Sequence, residues 1–201
     1  MRTPISGFLI LCSCILLMDC RKKTEINQTT FTKADSLTDL YLSLQDSMLQ
    51  SWNIMINDDN QKIKAMHSLL HELMVTSADA NDELFSSYEE QLAHLIELRY
   101  NQMSMADEDI IEEYDFASNL LVTELISQAE SKTEFAFNTT LQKLVEEIRI
   151  ADQRVNLYRE EYDNVTARYN TFLERNKNYL HEVNIGDSLV LRPLFHMTYG
   201  D

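Results

Sequence analysis

Glycine and proline are almost missing from this chain of 201 residues, which holds three of the first and two of the second. They stand at Pro4, Gly7, Gly186, Pro193 and Gly200, so residues 8 to 185 contain neither. Tight turns draw on Gly for positive φ and on Pro for a preset φ, which excludes sandwiches, barrels and Gly-rich nucleotide-binding α/β folds. Cysteine stops at residue 20: Cys12, Cys14 and Cys20 are the only three, so the body has neither a disulfide framework nor a Cys-ligated metal site. Positive charge is also scarce, 17 Lys and Arg against 33 Asp and Glu, a formal net charge of -16 that excludes DNA and RNA as partners. With so little glycine there is no GxSxG, P-loop or GxGxxG in the body, and no Cys nucleophile. No cofactor is expected.

What is present begins with an address. Arg2 precedes a largely apolar run from Ile5 to Met18, the length of a signal-peptide hydrophobic region and too short to cross a ~30 Å hydrocarbon core comfortably. Leu17-Met18-Asp19-Cys20 resembles the lipobox of bacterial lipoproteins, in which the Cys thiol is diacylated and becomes the first residue of the mature chain. Cys20 is the expected lipidation site, with Cys14 as the alternative, and residues 1–19 are the expected signal peptide. The expected location is the bacterial cell envelope, facing the periplasm or the cell surface, with the acyl chains as membrane partner. The competing reading is an uncleaved anchor, for which Arg21-Lys22-Lys23 predicts a cytoplasmic body. Residues 20–33 then form a polar, Thr-rich tether.

Residues 34–181 show helical periodicity throughout. Leu37, Leu40, Tyr41, Leu44, Met48, Trp52 and Met55, then Ile63, Met66, Leu70 and Leu73, mark a first helix from Ala34 to about Ser77, with a kink expected at the polar segment Asn57–Asn60. Leu84, Tyr88, Leu92, Leu95 and Leu98 mark a second, to about Met103. Ser104 to Asp107 has the form of a capping box opening a third, to about Glu130, and Leu141 to Leu173 carry a fourth to about Leu180. Short connections make neighbours antiparallel, so the expected fold is an all-α, up-down-up-down four-helix bundle with long first and fourth helices. Those two outrun the hairpin between them by ~30 Å. Tyr41, Leu44, Tyr169, Phe172 and Tyr179 would line this two-helix stalk, with Trp52 and Tyr162 at the base of the hairpin. Two helices cannot bury so wide an aromatic stripe, so a protein partner, a second copy or the C-terminal tail, residues 182–201, is expected to cover part of it. The tail is too apolar to be free and should fold back along the stalk.

Charge is uneven. Residues 79 to 134 carry 15 Asp and Glu against Arg99 and Lys132, which reads as a solvated, membrane-averse hairpin. His67 and His71 share a helix face at a spacing of four, the geometry of two zinc ligands, and leave a metal-dependent enzyme as the weaker alternative. No Glu-x-x-His occurs for a di-iron bundle.

On the fourth helix, Ala151-Asp152-Gln153-Arg154-Val155, then Arg159, Tyr162-Asp163 and Tyr169-Asn170, resembles the signature of the LemA family. Trp52, Lys62, Met66 to Leu70, Leu98-Arg99 and Arg192-Pro193-Leu194-Phe195 are similar to further family stretches, so the resemblance runs from about residue 37 to 195 with an insertion between Leu73 and Leu92. It implies a divergent, lipoprotein-type member: a membrane-attached helical bundle of no settled biochemical activity. The residues themselves give a parallel reading. Val155, Tyr162 and Tyr169 recur every seven residues as a packing seam, Asp163 and Asn170 follow on the adjacent face and could bond across helices, and Arg154 and Arg159 could pair with carboxylates on a neighbouring helix. Trp52, Arg154, Arg159, Tyr162, Tyr169, Asn170 and Tyr179 are thus the candidate packing and interaction residues. The leading expectation is a non-enzymatic scaffold or interaction protein, and the alternative an accessory subunit of a membrane enzyme.

Overall fold

The computed structural model describes residues 32–76, 82–182 and 189–195. The expected signal peptide and the Cys20 anchor lie outside the described residues, as does nearly all of the tether. Four helices follow in order: α1 (Lys33–Thr76), α2 (Asp82–Glu97), α3 (Glu108–Glu130) and α4 (Thr139–Glu182), with short 3-10 turns at Ser104–Ala106 and Thr133–Ala136. They form the antiparallel up-down bundle, and no strand occurs among the described residues. At 44 residues each, α1 and α4 run for about 66 Å, against about 24 Å for α2 and about 35 Å for α3. The α1–α4 pair makes the most extensive helix contact, and the α2–α3 hairpin packs beside its distal half.

Three local features depart from the sequence expectation, each for a visible reason. The polar segment of α1 does not interrupt the helix, which runs unbroken from Lys33 to Thr76, and Asp58, Asp59 and Asn60 face cationic and phenolic partners there. Helix α2 ends at Glu97, about six residues early. The Asn101 side chain accepts from the backbone N–H of Met103 (2.9 Å) and Ser104 (3.0 Å), a local turn that competes with helical continuation. Ser104 is consequently not the cap of α3: its hydroxyl accepts from Asn101 N–H, and Asp107 takes the capping role by accepting from Asp109 N–H. Glu108 and Asp109 in the first turn add favourable charge at that helix end. Asn138 caps α4 through the N–H groups of Thr140 and Leu141, and its amide reaches Glu72 near the end of α1.

The interior falls into two apolar clusters. The distal one joins all four helices through Leu69, Leu73, Leu95, Leu121, Leu125 and Ile148. The proximal one, in the stalk, joins α1 and α4 through Tyr41, Met48, Tyr162, Tyr169 and Leu180, with Met105 inserted from the α2–α3 loop. Leu69 is fully enclosed, so Leu69→Ala should lower unfolding stability by about 2–5 kcal/mol through lost burial and a residual cavity. Leu157→Ala, on the exposed face of α4, should shift it by less than about 0.5 kcal/mol. Urea unfolding followed by helical dichroism measures both; equal effects would mean the helices do not pack in this register.

Candidate functional site

Between the two clusters lies a charged waist, built where the hairpin ends and the stalk begins. Its centre is Arg159 on α4, only 5 % exposed. The guanidinium donates twice to the Asp115 carboxylate on α3, both at 2.6 Å, and once to the Tyr100 hydroxyl at 3.1 Å. A bidentate, charge-assisted pair of this kind fixes the planes of both groups as well as their separation. Burial opposes the charge on Arg159, but the hydrogen bonds and the charge of Asp115 outweigh it and hold the group protonated beyond its ordinary range.

The remaining charges pair around that centre. Asp59 accepts from the Tyr114 hydroxyl at 2.6 Å and from Arg99 at 2.9 Å, and Arg99 also reaches Asn60 at 2.7 Å. Asp58 accepts from Arg154 of α4. Its carboxyl is raised above the usual range by burial, against the lowering effect of Arg154. Lys62, buried among these groups, donates to Ser118 at 3.0 Å and lies 3.5 Å from Asp152. Every helix except α2 contributes, and Arg99 and Tyr100 directly after α2 complete the set.

Aromatic rings close the proximal side. Trp52, the single tryptophan, packs edge-on against Tyr162 (5.4 Å between centroids) and Tyr100 (6.2 Å). Phe195 of the tail packs against Tyr100 at 5.7 Å and Tyr162 at 5.8 Å, and its ring lies 4.8 Å from the Arg159 guanidinium carbon. That stacked cation adds roughly 0.5–2 kcal/mol in a desolvated setting.

Residues 189–195 of the tail lie back along α4. Asn170 donates to the Arg192 carbonyl (2.8 Å) and accepts from its N–H (2.9 Å), and Asp163 accepts from Phe195 N–H (2.8 Å). Asp163 and Asn170 thus both hold the tail backbone. Pro193 biases Arg192 towards an extended conformation, which suits this binding.

The candidate residues from sequence fall into separate places. Trp52, Arg159 and Tyr162 meet in the waist with Phe195; Arg154 sits with Asp58; Tyr169 packs 6.0 Å from Tyr41 in the stalk; Tyr179 is half-buried, about 25 Å along α4 from Tyr162. Arg159, Tyr162 and Tyr169 are interior residues. Asp58, Asp59, Tyr100, Tyr114 and Asp115 are waist residues outside the candidate set, and Phe195, noted only within the C-terminal stretch of the LemA-like resemblance, joins them. Asp115 in particular hid among the acids read as a solvated face. His67 and His71 are both exposed on α1, and no group of three His, Cys, Asp or Glu residues suited to a metal ion occurs among the described residues.

A cavity of about 20 Å³ lies within the waist, lined by Asp58, Asp59, Lys62, Tyr114, Tyr158 and Arg159 among others. That is room for about one water molecule and far below the size of an organic substrate pocket. No helix among the described residues is long and apolar enough to cross a membrane. No protein-family model, curated protein or solved structure matches the chain.

Two expectations follow. Replacing Arg159 with Met leaves Asp115 without its cation and should cost about 2–3 kcal/mol, less than for a fully enclosed pair because Asp115 is 35 % exposed. Adding Asp115→Leu to that variant should recover part of the loss, read from urea unfolding with Trp52 emission as the probe; no recovery would show that the pair is not coupled. The second concerns alkaline pH. Burial raises the phenols of Tyr100, Tyr114 and Tyr162, and burial with the neighbouring Tyr41 pushes Tyr169 up to about 12. The folded chain keeps these protons where the unfolded chain releases them, so stability is full below about pH 10 and falls as pH rises further. Tyrosinate absorbance should show these four titrating only as helical dichroism is lost, and early release by all nine tyrosines would contradict the enclosed waist.

Proposed function

We propose that this protein is a LemA-like, lipid-anchored helical scaffold of the cell envelope with an interaction role and no enzymatic one. In this reading Cys20 carries the acyl chains, each buried methylene contributing about 0.8 kcal/mol of membrane affinity. Residues 20–33 lead to the stalk. The acidic hairpin then stands farthest from the lipid, as repulsion from an anionic bilayer favours.

The observation that carries the reading is the use made of the LemA-like spacing in α4. Arg154 binds α1 through Asp58, Arg159 binds α3 through Asp115, Tyr162 packs against Trp52 of α1, and Asn170 holds the tail. A spacing spent on joining the chain's own segments supports a framework role better than a catalytic one. A second reading, an accessory subunit whose membrane-enzyme partner covers the Trp52 and Tyr162 region, is favoured by Trp52, Tyr100 and Phe195, which are all half-buried around the enclosed Tyr162.

Metabolic labelling with a fatty-acid analogue tests the anchor. Cys20→Ser should abolish incorporation and release the protein from the membrane fraction, whereas Cys14→Ser should leave both intact. Unchanged labelling and membrane retention in both variants would remove the anchor and the scaffold reading built on it.

A further inference from the structure

The grip of α4 on the tail has a repeat built into it. Asn170 holds Arg192 and Asp163 holds Phe195, so seven helix residues correspond to three tail residues running in the opposite direction. Seven helical residues rise about 10.5 Å, and three extended residues span about 10 Å. The two spacings therefore match, so that Asp163 and Asn170, one heptad apart on α4, meet the tail backbone three residues apart. The row continues at Asn156, which is exposed.

The bonds in this contact go to backbone atoms, which any extended segment offers. Selectivity comes from Phe195, seated against Arg159, Tyr100 and Tyr162, and from Leu189, which packs on the stalk cluster. The docked segment remains partly open, Val190 and Leu191 each being 47 % exposed. Its polar fit is incomplete: Arg192 donates to the Met103 sulfur with Nη1 and its guanidinium also meets the Tyr169 hydroxyl, but Arg192 Nε and Gln102 Nε2 are buried without a partner. A short segment held chiefly by three backbone bonds, the Phe195 ring and the Leu189 side chain opens at lower free energy than the four-helix core unfolds.

We infer that the Asp163–Asn170 face of α4, with the Phe195 seat above it, is a peptide-recognition site whose resident ligand is the chain's own tail, and that it also accepts the tail of a second copy. The tail is the one segment whose complementarity to this face is on display, and a second copy supplies it unchanged; exchange of an identical element between copies is a low-cost route to association. The tethered tail competes at an effective concentration of order millimolar, so exchange becomes measurable when the resident anchor is weakened.

The test uses the full chain and a fluorescein-labelled peptide of residues 187–197. The Phe195→Ala protein, whose own tail lacks its anchor, should bind the peptide saturably and at least about tenfold more tightly than the unaltered protein, as competition from a tethered ligand requires. Combining Phe195→Ala with Asn170→Ala should weaken binding about tenfold, the loss of roughly one to two hydrogen bonds, and Asn170→Asp, which keeps the acceptor and loses the donor, should fall between. Dichroism of each variant establishes that the bundle is intact. In a second arm, immobilised Phe195→Ala protein should retain Asn170→Ala protein, which brings an intact tail, while neither variant retains itself. Absence of peptide binding to folded Phe195→Ala protein, binding indifferent to Asn170, or equal retention in every pairing would each overturn the inference.

Discussion

One buried pair, Arg159 with Asp115, sets the geometry on which the rest of the waist depends. A guanidinium taken out of water on α4 has to meet a carboxylate in a fixed plane, and its bidentate partner, Asp115, comes from α3. That requirement fixes the axial register of the hairpin against the long helices, which apolar contacts alone would leave loosely specified. Leu on Leu packing tolerates a one-turn slip along a helix; a fork-to-carboxylate pair does not. The same guanidinium then offers its face to Phe195 and a donor to Tyr100, so loop and tail are positioned by the group that positions the hairpin.

The waist is more convincing as a source of specificity than of net stability. Isolated from their partners, Asp58, Asp59, Lys62, Asp115 and Arg159 would each carry a desolvation cost that apolar residues of equal volume avoid. Their arrangement makes sense where the protein changes cross-section. Above the waist four helices share one core; below it two helices have to enclose Tyr41, Tyr162 and Tyr169 without a hairpin beside them. At this boundary Asp59 of α1 pairs with Arg99 directly beyond the last turn of α2, a charge contact that a hairpin displaced along the stalk would lose.

The helical class, the helix order and the long first and fourth elements were legible because they rest on periodicity and on missing turn residues, both local properties of the chain. The seam residues Tyr162 and Tyr169 were legible for the same reason. Asp58, Asp59 and Asp115 were not, because one sequence cannot distinguish an acid that faces water from one that faces an arginine 44 or 96 positions away. Helix α2 was drawn too long because Leu98 continues its apolar stripe, while the stop signal is a single Asn101 side chain folding onto its own backbone. Asp163 and Asn170 were recognised as polar neighbours of the seam, but their partner is an extended segment, which has no helical period to match against.

The tail answers the problem posed by the stalk. Along α4, Tyr162 and Tyr169 turn into the core with Val155 half-buried in the same row, and the row one residue later, Asn156, Asp163, Asn170, stands at its edge. A segment gripped by the second row necessarily lies over the margin of the first, so backbone recognition and aromatic burial are satisfied by one placement. Only an extended strand can do both, since a third helix would need its own apolar face and about 10 Å of lateral room. Pro193 keeps the segment extended and Phe195 supplies the apolar volume. One margin of the Tyr162–Tyr169 stripe is thereby covered by a short extended segment, and because that segment is a peptide rather than a helix, the site it occupies is one that a second peptide of the same sequence can also fill.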